Sequence, residues 1–182
     1  LWESFEREYW DMVRAAFLKY NFQARIGHMD GIFVAYHNTS EIFGFQYIDL
    51  EEMNLRLFGS NEMGDKAYHM SIGLLERILD VATENFPNET LSITMETRPG
   101  TGNMYVIVES TETSRILQLD VVLDRYLNNA LVRGPVDFVQ FCGPMTEAEL
   151  EDMHCGRSKS KLSDVQWYVD YCITPSPVAD TH

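Results

Sequence analysis

Leu91-Ser-Ile-Thr-Met-Glu-Thr97 alternates apolar and polar residues. Leu91, Ile93 and Met95 fall on one side of an extended chain, and Ser92, Thr94 and Glu96 on the other. Period-two alternation marks a β-strand with one dry and one wet face. The stretch decides the fold because its surroundings repeat the pattern. Arg98-Pro-Gly-Thr-Gly-Asn103 reads as a loop, and Met104 to Val108 as the return strand. Leu117, Leu119, Val121 and Leu123 alternate with Gln118 and Asp120, a third strand that heads toward a helical turn near Tyr126. Val136 to Phe141 is a fourth candidate. Val165, Trp167, Val169, Tyr171 and Ile173 trace a last strand with an aromatic inner face. Short loops between consecutive strands favour antiparallel pairing.

Upstream of this stretch the period changes to that of a helix. Ala67, Met70, Leu74, Leu75, Ile78, Leu79 and Ala82 form one apolar stripe, predicting a long helix over about 62–85 that Phe86-Pro87 ends. Asp49, with Glu52 three residues on, has the spacing of a helix N-cap, and Gly59 is placed to stop that shorter helix. Ile32-Phe-Val-Ala-Tyr36 is apolar on both faces, which predicts a central or covered strand. Phe43-Gly-Phe-Gln-Tyr-Ile48 is its hairpin partner. At the start, Trp2, Phe5, Tyr9, Val13, Ala16, Phe17 and Tyr20 recur at steps of three and four, an amphipathic helix with a wide aromatic face. Thr146-Glu-Ala-Glu149 is a capping box for a short helix.

These elements predict an α+β fold: a mainly antiparallel β-sheet with helices packed on one face. The expected organisation is one domain over residues 1–173, followed by a flexible tail or linker over 174–182. The chain starts at Leu1, which we read as the ordered part of a larger protein.

Composition narrows the function. Hydrophobic residues make 45% and charged residues 23%, which excludes wholesale disorder. No apolar run approaches the roughly 20 residues of a membrane helix, so no membrane partner is expected. Fourteen Lys and Arg against 28 Asp and Glu give a net charge of −14. That disfavours nucleic acid as a nonspecific ligand and suits a basic protein partner. The one basic cluster, Arg157-Ser-Lys-Ser-Lys161, is short. Three cysteines, an odd number, point to a reducing compartment. The expected location is therefore intracellular, in the cytoplasm rather than the nucleus or an organelle.

Several residue sets invite a chemical reading. His28, Asp30 and His37 are natural ligands for a hydrolytic metal. The strand that separates the pair from His37 spans roughly 20 Å, so the bland reading is a turn Asp and two surface histidines. Cys142, His154, Cys155 and Cys172 form a zinc-competent set that lacks the tight Cys-x2-Cys knuckle. The glycines of the 98–103 loop precede a strand, not a helix, and read as hairpin geometry rather than a phosphate cradle. Glu96, Glu109, Asp120 and Asp124 read as a wet sheet face. Phe33, Phe43, Phe45 and Tyr47 could line a small-molecule pocket or simply pack in a core.

The reading these sets favour is a protein-interaction or regulatory module of a larger intracellular protein. It would dock its partner through a sheet edge or through Trp2, Tyr9 and Trp10 on the first helix. No cofactor is expected, catalysis is not favoured, and a homo-oligomer stays open. The alternatives are a metal-dependent hydrolase or nuclease-like enzyme using His28, Asp30 and the acidic strand residues, and a small-molecule sensor.

Overall fold

A computed structural model describes residues 5–98, 102–133, 146–148 and 166–176. The architecture is α+β with antiparallel sheets, as the alternation at 91–97 predicts. By contacts the chain falls into two compact units, Leu1–Tyr68 with Met145–Ser163, and His69–Pro144 with Asp164–His182.

In the first unit, α1 (Phe5–Ala15) and α2 (Phe17–Ile26) lead into a hairpin of β1 (Gly31–His37) and β2 (Ile42–Asp49), followed by α3 (Leu50–Phe58). The single helix expected over 2–20 is broken at Ala16, whose φ of −130° leaves the helical range. The apolar steps run through the break unchanged, because the bonds Ala16 N to Met12 O and Tyr20 N to Ala16 O keep the helical four-residue spacing. Asp49 caps α3 as expected: its side chain accepts from Glu52 N at 2.7 Å. Gly59 ends α3 with φ of 81°, a left-handed conformation that glycine adopts without cost. Val13, Phe17, Ala24, Ile48 and Met53 form this unit's core.

The helix α4 (Asn61–Asn85) contributes its first turns to the first unit and the rest to the second. In the second unit a sheet is built from β3 (Leu91–Thr97), β4 (Met104–Ser110), β5 (Ile116–Leu127), β6 (Ala130–Val132) and β7 (Trp167–Ser176), all pairs antiparallel. Ile78, Ala82 and Phe86 cover its inner face at Val106, Val108, Leu119 and Val121. Burying a side chain of this size contributes about 1.5–3 kcal/mol. β5 continues as strand to Leu127, where a helical turn was expected near Tyr126, because β7 pairs with it through that end. The boundary expected at 173/174 falls inside β7. The candidate strand at 136–141, the basic cluster at 157–161, Glu149 of the capping box and the tail beyond 176 lie outside the described residues. No helix among the described residues is long and apolar enough to cross a membrane.

Candidate functional site: an aromatic hairpin face and its groove

Strand geometry sorts the hairpin side chains into two rows. Ile32, Val34 and Tyr36 face inward, with Ile48 fully buried opposite Ile32. Phe33, Ala35 and His37, with Phe45 and Tyr47 across from them, form the outer row. Both rows are rich in apolar residues, which is why the sequence predicts a covered strand. The structure shows the outer row open instead: Phe33 is 76% exposed, Phe45 69% and Tyr47 47%. A monomer rarely leaves rings of this size uncovered together. Phe33 and Tyr47 are direct cross-strand partners with ring centroids 5.0 Å apart. The four aromatics Phe33, Phe43, Phe45 and Tyr47, considered for a closed pocket, line a surface.

A groove of about 840 Å³ opens between α1, α3 and the β2 end of the hairpin. Trp10, Phe43 and Phe45 supply ring walls, Arg7 and Arg56 supply cations, and Gln46 supplies an amide. The α3 residues Glu52 and Arg56 are four apart and so share one helix face. Tyr9 donates its hydroxyl to Glu52 Oε1 at 2.6 Å. Partial burial pushes the Tyr9 hydroxyl up to about 12, with the Glu52 bond and charge adding to it. Tyr36 is raised as well, by burial and then by the charge of Glu52. Its hydroxyl donates to Gln46 Oε1 at 2.7 Å. The Arg56 guanidinium stands 5.9 Å from the Tyr9 ring and 5.8 Å from Trp10, cation–π range.

The residues singled out in the sequence land as follows. Tyr9 and Trp10 are half-buried and pack against the first unit's core, Tyr9 edge-on to both Trp10 and Phe17. Trp2 lies outside the described residues. His28, with φ of 51°, and Asp30 sit in the turn before β1, while His37 ends it. Seven extended residues span roughly 20 Å, so the strand keeps His37 away from the other two. All three are exposed. Among the described residues no three His, Cys, Asp or Glu are grouped to hold a metal ion. Glu96 and Asp120 stand on either side of Tyr105 in the sheet register, and Asp124 faces Asp170. Cys172 is exposed, and Cys142, His154 and Cys155 lie outside the described residues. Sequence reasoning missed Arg7, Gln46, Glu52 and Arg56 as groove residues. The spacing of Glu52 and Arg56 was the one available signal.

Comparison with known proteins adds what geometry lacks. Residues 1–80 match the family described as mitochondrial protein Pet127. The chain is 52% identical over 94 residues to the Schizosaccharomyces pombe protein named mRNA degradation protein pet127, mitochondrial, covering 52% of this chain and 18% of that protein. It is 60% identical over 58 residues to a Saccharomyces cerevisiae protein with the provisional name of a mitochondrial translation system component, PET127, covering 32% of this chain and 7% of that one. The chain thus spans less than a fifth of the length of either relative. No solved structure matches it.

Two expectations are corrected by these matches. The cytoplasmic location is overturned, because both relatives carry mitochondrial names. Cysteine number speaks to redox state and does not separate one reducing compartment from another. The expectation that nucleic acid is an unlikely ligand is overturned by a relative named for mRNA degradation. Net charge is a sum over the whole chain, and says little about an uncharged surface on which bases stack.

Proposed function

We propose that this chain is a segment of a Pet127-type mitochondrial protein working in mRNA turnover, and that its first unit docks single-stranded RNA on the open hairpin face. One observation carries this reading: the matched stretch, residues 1–80, contains the whole hairpin, whose outer row is aromatic and exposed. Unpaired bases present flat faces that stack on Phe and Tyr rings, and stacking is worth about 1–3 kcal/mol per base. Phe33, Phe45 and Tyr47 offer such rings on one surface. The chain carries a net charge of −14, so stacking rather than counterion release would drive binding. A shallow dependence on salt follows.

The test is fluorescence anisotropy of the full chain with labelled single-stranded RNA of about 10 nucleotides. The Phe33→Ala/Tyr47→Ala double variant should bind at least tenfold more weakly, with its melting temperature nearly unchanged. Equal affinity of the variant, a preference for duplex RNA, or no binding at all overturns the reading. Imaging of the tagged parent protein checks the compartment, and a cytosolic signal would count against it.

A further inference from the structure

We infer that the groove between α1, α3 and β2 binds a single nucleotide of that RNA, with the base against Trp10 and Phe43 and the phosphate toward Arg7 and Arg56. The inference rests on the RNA reading above and adds a subsite to it. Its volume, about 840 Å³, lies within the range of small-molecule sites.

The lining calls for a ligand with three features, and a nucleotide has all of them. Flat rings at Trp10, Phe43 and Phe45 suit a planar π-system. The guanidinium of Arg56 and that of Arg7, whose Nε also stands 4.0 Å from an Asp11 carboxylate oxygen, suit an anion, and guanidinium geometry matches phosphate oxygens. The Gln46 amide accepts from the Tyr36 hydroxyl through its oxygen, and its NH2 is a donor of the kind that meets a carbonyl on a base edge. Glu6 and Glu52 accept hydrogen bonds and suit ribose hydroxyls. The stacking of Arg56 on Tyr9 and Trp10, together with the bond from Tyr9 to Glu52, fixes this wall before any ligand arrives.

Position links the groove to the hairpin face. Phe45 belongs to both: it stands in the outer row opposite Ala35 and lines the groove. Phe43, 54% exposed, lies two residues further along β2. A strand stacked on Phe33, Tyr47 and Phe45 would therefore reach the groove with its next nucleotide.

The experiment titrates the full chain with UMP, CMP, AMP and GMP, following the Trp10 indole N–H resonance. Ribose 5-phosphate and inorganic phosphate serve as probes without a base. At least one nucleotide should shift the resonance and saturate with a Kd on the order of 1 mM or tighter. Phe43→Ala should weaken it about tenfold, the scale of one lost stacking contact. Arg7→Gln should weaken it too, while Ile107→Ala, on β4 of the second unit, should leave it unchanged. Phe43 and Arg7 are both exposed, so these variants keep the fold, which circular dichroism checks. The subsite is overturned if no nucleotide moves Trp10, or if ribose 5-phosphate binds as well as the nucleotides. RNA binding lost in the Phe33/Tyr47 variant, without any nucleotide shift, rejects the groove and leaves the hairpin reading standing. Nucleotide shifts without RNA binding reject the hairpin and leave the groove.

Discussion

Asn21 of α2 donates a 2.8 Å hydrogen bond to Asn54 of α3, and both side chains are withdrawn from water, at 0% and 3% exposure. Around this bond the polar groups satisfy one another. Arg25 donates Nε to Asn21 and Nη2 to Asn54 and Asp65, while Asn54 donates to Asn61. Buried polar groups are tolerated only in such closed sets. Asn21→Leu removes one member and strands the donors and acceptors around it. We expect a loss of about 1–3 kcal/mol, read as a lower urea midpoint with an unchanged slope.

Gly64 abuts the same network. A Cβ there would stand 2.5 Å from Asn54 Oδ1 and 2.6 Å from Asn54 Cγ. Gly73, on the same helix, would meet nothing within 4 Å. Helix propensity alone favours alanine over glycine by about 0.8–1 kcal/mol at both positions. Gly73→Ala should therefore raise the melting temperature and Gly64→Ala should lower it. Equal shifts of the same sign would show that Asn54 moves aside without cost.

Tyr9 makes stability depend on alkaline pH. Its hydroxyl is raised in the folded state to about 12, by burial first and then by Glu52. The proton is thus held more tightly in the folded chain than in the unfolded one. The contribution is complete below about pH 10 and is lost as pH rises from there through about 12. Chemical denaturation across that window should show stability falling. Tyr9→Phe should flatten the fall, and should cost about 1 kcal/mol at neutral pH through the lost bond.

Glu89 acts at the other end of the scale. Hydroxyl bonds from Ser110 and Thr113, with Arg115 nearby, hold its carboxyl below the usual range. Its contribution is present above the ordinary carboxylate pKa and is lost as pH falls through the lowered folded value. Glu89→Gln should melt lower than the parent at neutral pH and converge with it in acid. A constant gap between the two across the acid range would show that the charge is not what matters.

Phe33 tests the openness of the hairpin face directly. A residue exposed to 76% contributes little to folding, and its cross-strand contact with Tyr47 is worth roughly 0.2–1 kcal/mol. Phe33→Ala should shift the urea midpoint by less than a core change such as Leu119→Ala, which should cost about 2–5 kcal/mol.

Local signals were the legible part of this sequence. The alternation at 91–97, the Asp49 cap with Gly59, and the apolar stripe of α4 each depend on neighbours a few residues apart, and each is found where expected. The break at Ala16 was hidden because the apolar steps continue through it. The open hairpin face was hidden for a different reason. A strand apolar on both sides states that both sides want cover, not whether this chain supplies it. Nothing local marks Asn21 and Asn54, because their burial arises from positions 33 residues apart. The groove joins α1, β2 and α3: Tyr9, Trp10, Phe43 and Phe45 were singled out separately, and among the residues that were missed only Glu52 and Arg56 had a telling spacing.

β5 holds neighbours of very different sequence distance on its two sides. Its register with β4 pairs Glu109 with Ile116, while its register with β7 pairs Leu127 with Trp167, 40 residues away. Closing a short loop costs less entropy than closing a long one, so the β3–β4–β5 meander has the easier nucleus. β7 should then dock last during folding and leave first. Before it docks, β5 exposes a ladder of unpaired amides beside Leu123 and Val121. Newly made chains that stall at that stage would present this edge to one another, so yield on refolding should fall steeply with protein concentration.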